Sequence, residues 1–553
     1  MGKTMRKCLD SHLVLAYIVI FAGCFMLFVY EPIVMYSTNM NDFWFDFDTM
    51  ILPTLQVAVF LFVIIVSLCT LFYFVNKIFD RETRIYKCMV LVGSLLYFAT
   101  YIQGNWLTGN LPILDGQTIV WEQYGRTENL FITIIVVIIG IGMAVFVRKY
   151  QFGRTMKGIA MISILVSAML SVSLILMVVG NDALRKKENI GFSADNLNNI
   201  SENKNFIIFL VDAVDSGVFE KVLDSGAWYQ QIFQDFTYYT DAASVFGFTR
   251  DSIPQILSGY INKNEKRFNE YSTDAYNNSK LFTMLDEEYY DINLYDNEII
   301  WNKVPSFYIC NAVSAENVSI NVRLYMEQET KYILFKYLPY CLKKYSKIEG
   351  MDFYCCRECS DLNLTNPWIY DNIIRNSELE KQSANLFQYI HTEGAHPPFT
   401  YDKEINIIEN GTYEEEVEAS ITIIDAFIQR LKENDAYDNS IIIIMADHGY
   451  TNNYTDMEIL KRFNPILLVK GFDERHELIK SNVKVSYVDL PDVYQELIIG
   501  KKSTDLFKTA ESNGTRYLLW YRYTKENHMI EYEIDGNMKE TEKFRQTGNA
   551  YNR

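Results

Sequence analysis

The sequence predicts a two-part protein: an N-terminal five-helix transmembrane domain, then an extracellular α/β domain built on a central, mostly parallel sheet. Three observations carry that expectation. Five apolar stretches fall within the first 180 residues. Positive charge is concentrated on alternate flanks of these stretches. Beyond residue 204, short Ile/Val/Phe-rich runs alternate with helical patterns. At 553 residues the chain exceeds what one hydrophobic core supports, and 49% hydrophobic content excludes a disordered chain. With 69 Asp+Glu against 51 Lys+Arg the net charge is -18, which excludes a generic nucleic-acid partner.

The apolar stretches run over residues 12–30, 54–75, 89–102, 130–147 and 159–179. About 20 apolar residues cross a bilayer as a helix. The third stretch is the weakest, carrying Gly93, Ser94 and Thr100 with Gln103 just beyond it. Lys3, Arg6 and Lys7 precede the first stretch; Lys77, Arg81, Arg84 and Lys87 follow the second; Arg148, Lys149, Arg154 and Lys157 follow the fourth. The two intervening loops hold only Arg126. By the positive-inside rule the N-terminus is cytoplasmic, and five spans put everything after Gly180 outside the plasma membrane. No small-residue cleavage site follows Tyr30, so the first stretch reads as a span.

Four regions follow: a membrane domain over 1–180, a juxtamembrane linker over 181–204, a catalytic domain over 205–505, and a strand-rich tail over 506–553 that packs on it. Strands are expected over 205–211, 386–390, 440–446 and 465–470, and helices over 216–233, 413–433 and 490–499. Continuous apolar strands separated by helices imply a sheet covered on both faces. The alternation over 516–535 reads as a strand pair.

Ligands of open α/β sheets bind at the carboxyl ends of strands. Asp212 and Asp215 follow the first predicted strand, His391-Thr-Glu-Gly-Ala-His396 ends the second, and Asp447-His448-Gly449 ends the third. Thr249-Arg250-Asp251-Ser252 enters a short helix. Taken singly, an Asp or Thr before a helix is usually a cap. Together they make a set of oxygen and imidazole ligands suited to Zn²⁺ or Mn²⁺, with Mg²⁺ a third candidate. A metal beside the Thr249 hydroxyl makes a weak nucleophile useful.

These motifs resemble the alkaline phosphatase/sulfatase superfamily. More narrowly they resemble its membrane-anchored phosphotransferases, lipoteichoic acid synthase and the lipid A phosphoethanolamine transferases. The resemblance rests on Asp212, on Thr249 to Pro254, on His391 to Pro398 and on Ala446 to Gly449, in that order. It implies an alkaline phosphatase/sulfatase-type fold in which Asp212, Thr249, Asp447 and His448 hold the metal. Thr249 is then the nucleophile, His396 acts at the phosphate, and His391 and Arg250 contact substrate. The implied reaction moves a lipid head-group phosphate, glycerol phosphate or phosphoethanolamine, from a membrane phospholipid to a cell-envelope glycan or lipid. The alternative is a membrane-anchored hydrolase, a phosphodiesterase or sulfate-ester hydrolase, using the same residues. The sequence departs from these relatives in three places. It lacks the Cys/Ser-x-Pro-x-Arg motif of formylglycine sulfatases. Asp212 stands where both transferase groups carry Glu. No His occurs between Tyr450 and Arg462, where the transferases supply one.

Of nine Cys, Cys8, Cys24, Cys69 and Cys88 lie in or near spans as small apolar residues. Cys310, Cys341, Cys355, Cys356 and Cys359 are expected outside, where an odd number leaves at least one unpaired. The Tyr-rich stretch 310–370 fits no motif and is expected as an insertion near the substrate entrance.

Overall fold

The computed structural model describes residues 11–40, 43, 45–80, 82–108, 111, 121, 124–186, 190–299, 301, 307–314, 320–346, 348, 362–375, 379–453, 455, 458–507, 514–522 and 528–552. Two compact units divide the chain: Met1–Lys187 with Val318–Glu358, and Glu188–Asn317 with Cys359–Arg553.

Among the described residues, the first unit has four helical stretches long and apolar enough to cross a membrane. They comprise α1 (Ser11–Phe25), which runs on helically to Thr38, α2 (Phe47–Phe79), α3 (Arg84–Trp106) and α4 (Arg126–Gly180). Leu52, Val59, Phe60, Leu68 and Ile78 of α2 face outward, an apolar surface that suits lipid. Asp80 closes the turn into α3 by accepting from the backbone N–H of Glu82 at 3.0 Å and of Arg84 at 2.8 Å. The loop expected over 148–157 is replaced by a single non-helical residue. Gln151, at φ 68 and ψ 157, interrupts the 55-residue α4. A straight helix of that length would run about 80 Å, well over twice the hydrocarbon core. The break yields two segments, 126–150 and 152–180, each long enough for one crossing.

Residues from the Tyr-rich stretch belong to this unit. The helix Val322–Tyr337 carries Lys336, which pairs with Glu31 at 2.5 Å, and Tyr337, whose hydroxyl donates to Glu31 at 2.6 Å. Glu31 is fully buried, so these two partners are what keeps its charge tolerable. Cys310 and Cys341 are free thiols. Cys355, Cys356 and Cys359 lie outside the described residues.

The second unit is built on a seven-stranded sheet. Its strands are β1 (Asn205–Val211), β2 (Thr237–Tyr239), β3 (Tyr290–Tyr295), β4 (Asn385–Thr392), β5 (Ser440–Met445), β6 (Leu467–Lys470) and β7 (Ile479–Ser481). The spatial order is β7-β2-β6-β5-β1-β4-β3. β3, β4, β1 and β5 are mutually parallel, while β6 runs antiparallel to β5 and β2, which makes the sheet mixed. Every residue of β1 and β5 is buried, as expected of strands covered on both faces.

Three helices set up the loops at the strand ends. α5 (Ser216–Ser225) starts at Asp215, whose carboxylate accepts from Gly217 and Val218 N–H at 2.8 and 3.0 Å. Asp215 is therefore a helix cap. The helix expected over 216–233 is broken at extended Gly226. α6 (Thr249–Ser258) begins on Thr249, and α7 (Tyr413–Glu433) begins in a Thr412/Glu415 capping box. The C-terminal strand pair proves to be three antiparallel strands: β8 (Arg516–Arg522), β9 (His528–Ile534) and β10 (Phe544–Asn552). The third, rich in Asn, Gln and Thr, lacks the apolar alternation that reveals the first two.

Candidate active site

Strand register puts the polar residues in one row. Leu210 pairs with both His391 and Met445, and Tyr295 pairs with Ile390. The carboxyl ends of β3, β4, β1 and β5 therefore deliver Asp296, His391, Asp212 and Asp447 side by side. Two glycines make the crowding possible. A Cβ on Gly394, at φ +60, would lie 2.3 Å from the Asp212 backbone nitrogen, while Ala395 N–H donates to Asp212 O at 2.8 Å. A Cβ on Gly449 would lie 2.1 Å from the Lys461 carbonyl. The glycines of the two His motifs are thus places where one chain crosses directly over another.

Thr249 reaches the cluster from the first turn of α6. Its hydroxyl donates to His448 Nε2 at 3.2 Å. The direction follows from the tautomer. His448 Nδ1 lies 2.7 Å from the Gly449 carbonyl, which can only accept, so Nδ1 holds the proton and Nε2 a lone pair. Around that nitrogen stand Asp447 Oδ2 at 3.4 Å and Asp212 Oδ1 at 3.7 Å. Both carboxylate oxygens are buried and have no hydrogen-bond partner among the described residues. Asp447 Oδ1 is occupied, accepting from Ala213 N–H at 3.3 Å.

Two buried carboxylates pointing unpaired oxygens at an imidazole lone pair and a hydroxyl repel one another. The electrostatics record this. Burial and the nearby Asp447 push the Asp212 carboxyl well above its usual range. Burial works the same way on Asp447, but the charged His391 and the Ala213 N–H hold it below that range. Burial, with Arg462 and His396 adding to it, pushes His448 down to about 3, so it is a neutral imidazole. The arrangement lacks one positive charge at its centre. Asp212, Asp447 and His448 each offer a ligand atom, all within 4.8 Å of one another, and a divalent cation with oxygen and nitrogen ligands fits the set.

The other expected site residues fall around this centre. His391 sits behind Asp212, with Nδ1 2.8 Å from Asp296 and Nε2 4.0 Å from Asp212 Oδ2. Burial opposes its charge, but Asp296, Asp212 and Asp447 outweigh it and raise His391 to about 10. His391 is thus a buried imidazolium that steadies the two carboxylates. His396 is half-buried, and its Nδ1 donates to the Pro397 carbonyl at 2.8 Å, which leaves the lone pair on Nε2. Its loop is held by Glu416 of α7, which accepts from Thr400 and Tyr401 N–H at 3.0 Å each. Arg250 is exposed and lays its guanidinium over the Phe268 ring at 4.4 Å.

Sequence reading missed three residues here. Asp296 follows β3, whose Asp291 and Asn293 hide its strand character. Tyr413 clamps the turn after Asp212, donating to Ala213 O and accepting from Asp215 N–H, each at 2.8 Å. Arg462 is buried against His448.

No family model matches the sequence, and no curated protein matches it. Solved structures do. The chain is similar to a protein in the alkaline phosphatase superfamily from Vibrio parahaemolyticus, at 12% identity and a TM-score of 0.35, over 63% of this chain and 82% of that one. It is similar to Ps i-CgsB, solved with k-i-k-neocarrahexaose, at 13% identity and a TM-score of 0.40, over 60% and 82% of the two chains. It is also similar to the C-terminal periplasmic domain of EcEptC from Escherichia coli, at 11% identity and a TM-score of 0.32, over 64% and 96%.

Proposed function

We propose that this protein is a membrane-anchored, metal-dependent phosphotransferase of the alkaline phosphatase superfamily, with Thr249 as its nucleophile. The observation that carries the reading is the convergence of the Thr249 hydroxyl, the His448 lone pair and two unpaired carboxylate oxygens on one point at the carboxyl end of a buried sheet. Asp212, Thr249, Asp447 and His448 would hold Zn²⁺ or Mn²⁺. When bound, the metal supplies a Lewis acid that lowers the cost of ionising the threonine hydroxyl and offsets phosphate charge.

The chain's own residues do the rest. The helix α6, which begins on Thr249, presents the positive end of its dipole as Thr249 Oγ bonds to phosphorus. The phosphorus–oxygen bond to diacylglycerol breaks. The threonine proton passes to the His396 Nε2 lone pair, and His396 then delivers it to the departing oxygen. An acceptor hydroxyl then attacks the phospho-threonine. Its proton goes to His396, the Thr249 Oγ–phosphorus bond breaks, and Thr249 is reprotonated. Charge stabilisation and positioning supply most of what phosphoryl transfer requires.

The apolar helices serve this chemistry by keeping the site at the lipid surface. With α4 crossing twice through its break at Gln151, five spans put the N-terminus in the cytoplasm and the catalytic unit outside the plasma membrane. The donor is a membrane phospholipid and the acceptor a cell-envelope glycan or lipid. Incubation with head-group-labelled phosphatidylglycerol or phosphatidylethanolamine plus envelope glycans tests this. Label is expected on a glycan or lipid acceptor. Label released only to water identifies a hydrolase, and unchanged lipid refutes both.

A further inference from the structure

We infer that Arg462 is the cationic clamp for the tetrahedral anion that Thr249 receives, a catalytic residue supplied by the segment that follows Asp-His-Gly. The inference rests on the phosphotransferase reading for the identity of the anion as phosphate.

Arg462 is 5% exposed although it carries a permanent charge. Its guanidinium is held on three sides. Nε donates to the Gly247 carbonyl at 2.8 Å, and the plane lies over the Phe248 ring at 4.8 Å. Nη2 donates toward His448 Nε2 at 3.4 Å. Gly247 and Phe248 are the residues directly before Thr249, so the nucleophile and the guanidinium are positioned by one turn. The backbone ties them again, because Gly449 N–H donates to the Arg462 carbonyl at 2.8 Å. Phe248 is in turn braced by Trp520 of β8 at 4.7 Å. Burying an arginine is costly unless something returns the energy. Fixing it this firmly beside two orphaned carboxylate oxygens and a nucleophile is the arrangement of a functional group.

The Nη2 contact identifies what it binds. His448 Nε2 is one of the atoms that would hold a metal, so the guanidinium stands at the metal-facing edge of the cluster. Thr249 Oγ1 and Arg462 Nη2 both lie within 3.4 Å of the same nitrogen. A phosphoryl group esterified to Thr249 carries its non-bridging oxygens two bonds beyond Oγ1, into reach of the guanidinium. Arg462 makes and breaks no bond. It donates to non-bridging oxygens while the Thr249 Oγ–phosphorus bond forms and the bond to diacylglycerol breaks, and again when the acceptor takes the phosphoryl group. Guanidinium geometry matches tetrahedral oxyanions in a way that a lysine point charge does not.

The test uses the full-length, detergent-solubilised, metal-loaded protein and inorganic phosphate as probe, read by calorimetry, together with metal content by mass spectrometry and turnover. Arg462→Gln is expected to weaken phosphate binding by about 10-fold or more and to lower kcat by about 10²–10³-fold, with the metal-to-protein ratio unchanged. Arg462→Lys should recover part of both. Arg475→Gln, which removes an exposed ion pair with Asp438, is the control and should match wild type. Phosphate affinity unchanged in Arg462→Gln overturns the inference. So does a phosphate loss that only tracks metal loss, or a wild-type protein that binds no phosphate. If Arg462→Gln fails to fold, Arg462→Lys decides: weaker phosphate binding with full metal content supports the clamp, and wild-type affinity overturns it. Because phosphate binding needs no turnover, a wild type that ignores lipids yet binds phosphate through Arg462 removes the transferase reading and leaves the clamp standing.

Discussion

Two buried charge clusters in the second unit have opposite characters. Asp241 and Arg516 are 1% and 0% exposed and pair at 2.9 Å. Arg516 also donates to the carbonyls of Asp241, Val485 and Gly536, while Asp241 accepts from Met538 N–H at 2.8 Å. This pair carries its own counter-charge and joins β8 to the main body of the unit. In the Asp212/Asp447 cluster Asp447 is as deeply placed and Asp212 is 13% exposed, yet one oxygen of each is buried with no partner among the described residues. Arg516 Nε has no hydrogen-bond partner among the described residues, but the charges of the pair cancel, and such a pair is architecture. A cluster with unpaired buried carboxylate oxygens is a candidate binding site for a cation.

That contrast can be broken in graded ways. The largest effect is expected at the open cluster: Thr249→Ala should fold, insert and bind metal, yet lose transfer activity by more than about 10⁴-fold. Radiolabel transfer checks it. Asp447→Asn should lose the bound metal, seen as a fall in metal-to-protein ratio, with activity down about 10³-fold. At the closed cluster, Arg516→Met should instead cost about 3–5 kcal/mol of stability by stranding Asp241, with metal content unchanged in the folded fraction. Denaturant titration of the two variants separates these outcomes. Asp212→Asn sharpens the point. After chelation it should melt at or above the wild type, because the repulsion with Asp447 is gone, whereas metal should stabilise the wild type alone.

The smallest effect is a pH dependence in the C-terminal sheet. Burial opposes the Glu531 charge, but Asn549, Lys263, Tyr551 and Thr547 hold its carboxyl down to about 2. Its folded value lies below the unfolded one of about 4.3, so its stabilisation is complete above that value and is lost as pH falls toward 2. Hydrogen-exchange protection of Arg516–Arg522 and its neighbours should decline over that range in wild type and lose that dependence in Glu531→Gln.

Much of this was legible in the sequence, for identifiable reasons. β1 and β5 are unbroken apolar runs, followed within two residues by the candidate ligands Asp212 and Asp447, so strand and site announce each other. The capping box of α7 fixes its start to the residue. β3 was hidden because Asp291 and Asn293 are bonded inside the unit, to Gln382 and Asn196. The break in α4 was hidden because the charges of 148–157, read as a loop, occupy helix and need only one left-handed residue at Gln151 to part the two segments. Arg462 could not be read from its neighbours. Its role depends on Gly247 and Phe248, more than 200 residues away in the chain.

The claim at the centre of the account is that Thr249 is the covalent nucleophile. Peptide mass spectrometry of the metal-loaded protein, quenched after exposure to phosphatidylglycerol or phosphatidylethanolamine without acceptor, tests it most directly. The account predicts one glycerophosphate or phosphoethanolamine unit on Thr249, absent after chelation. A modified residue other than Thr249, or lipid turnover with Thr249 unmodified under the same quench, would contradict it.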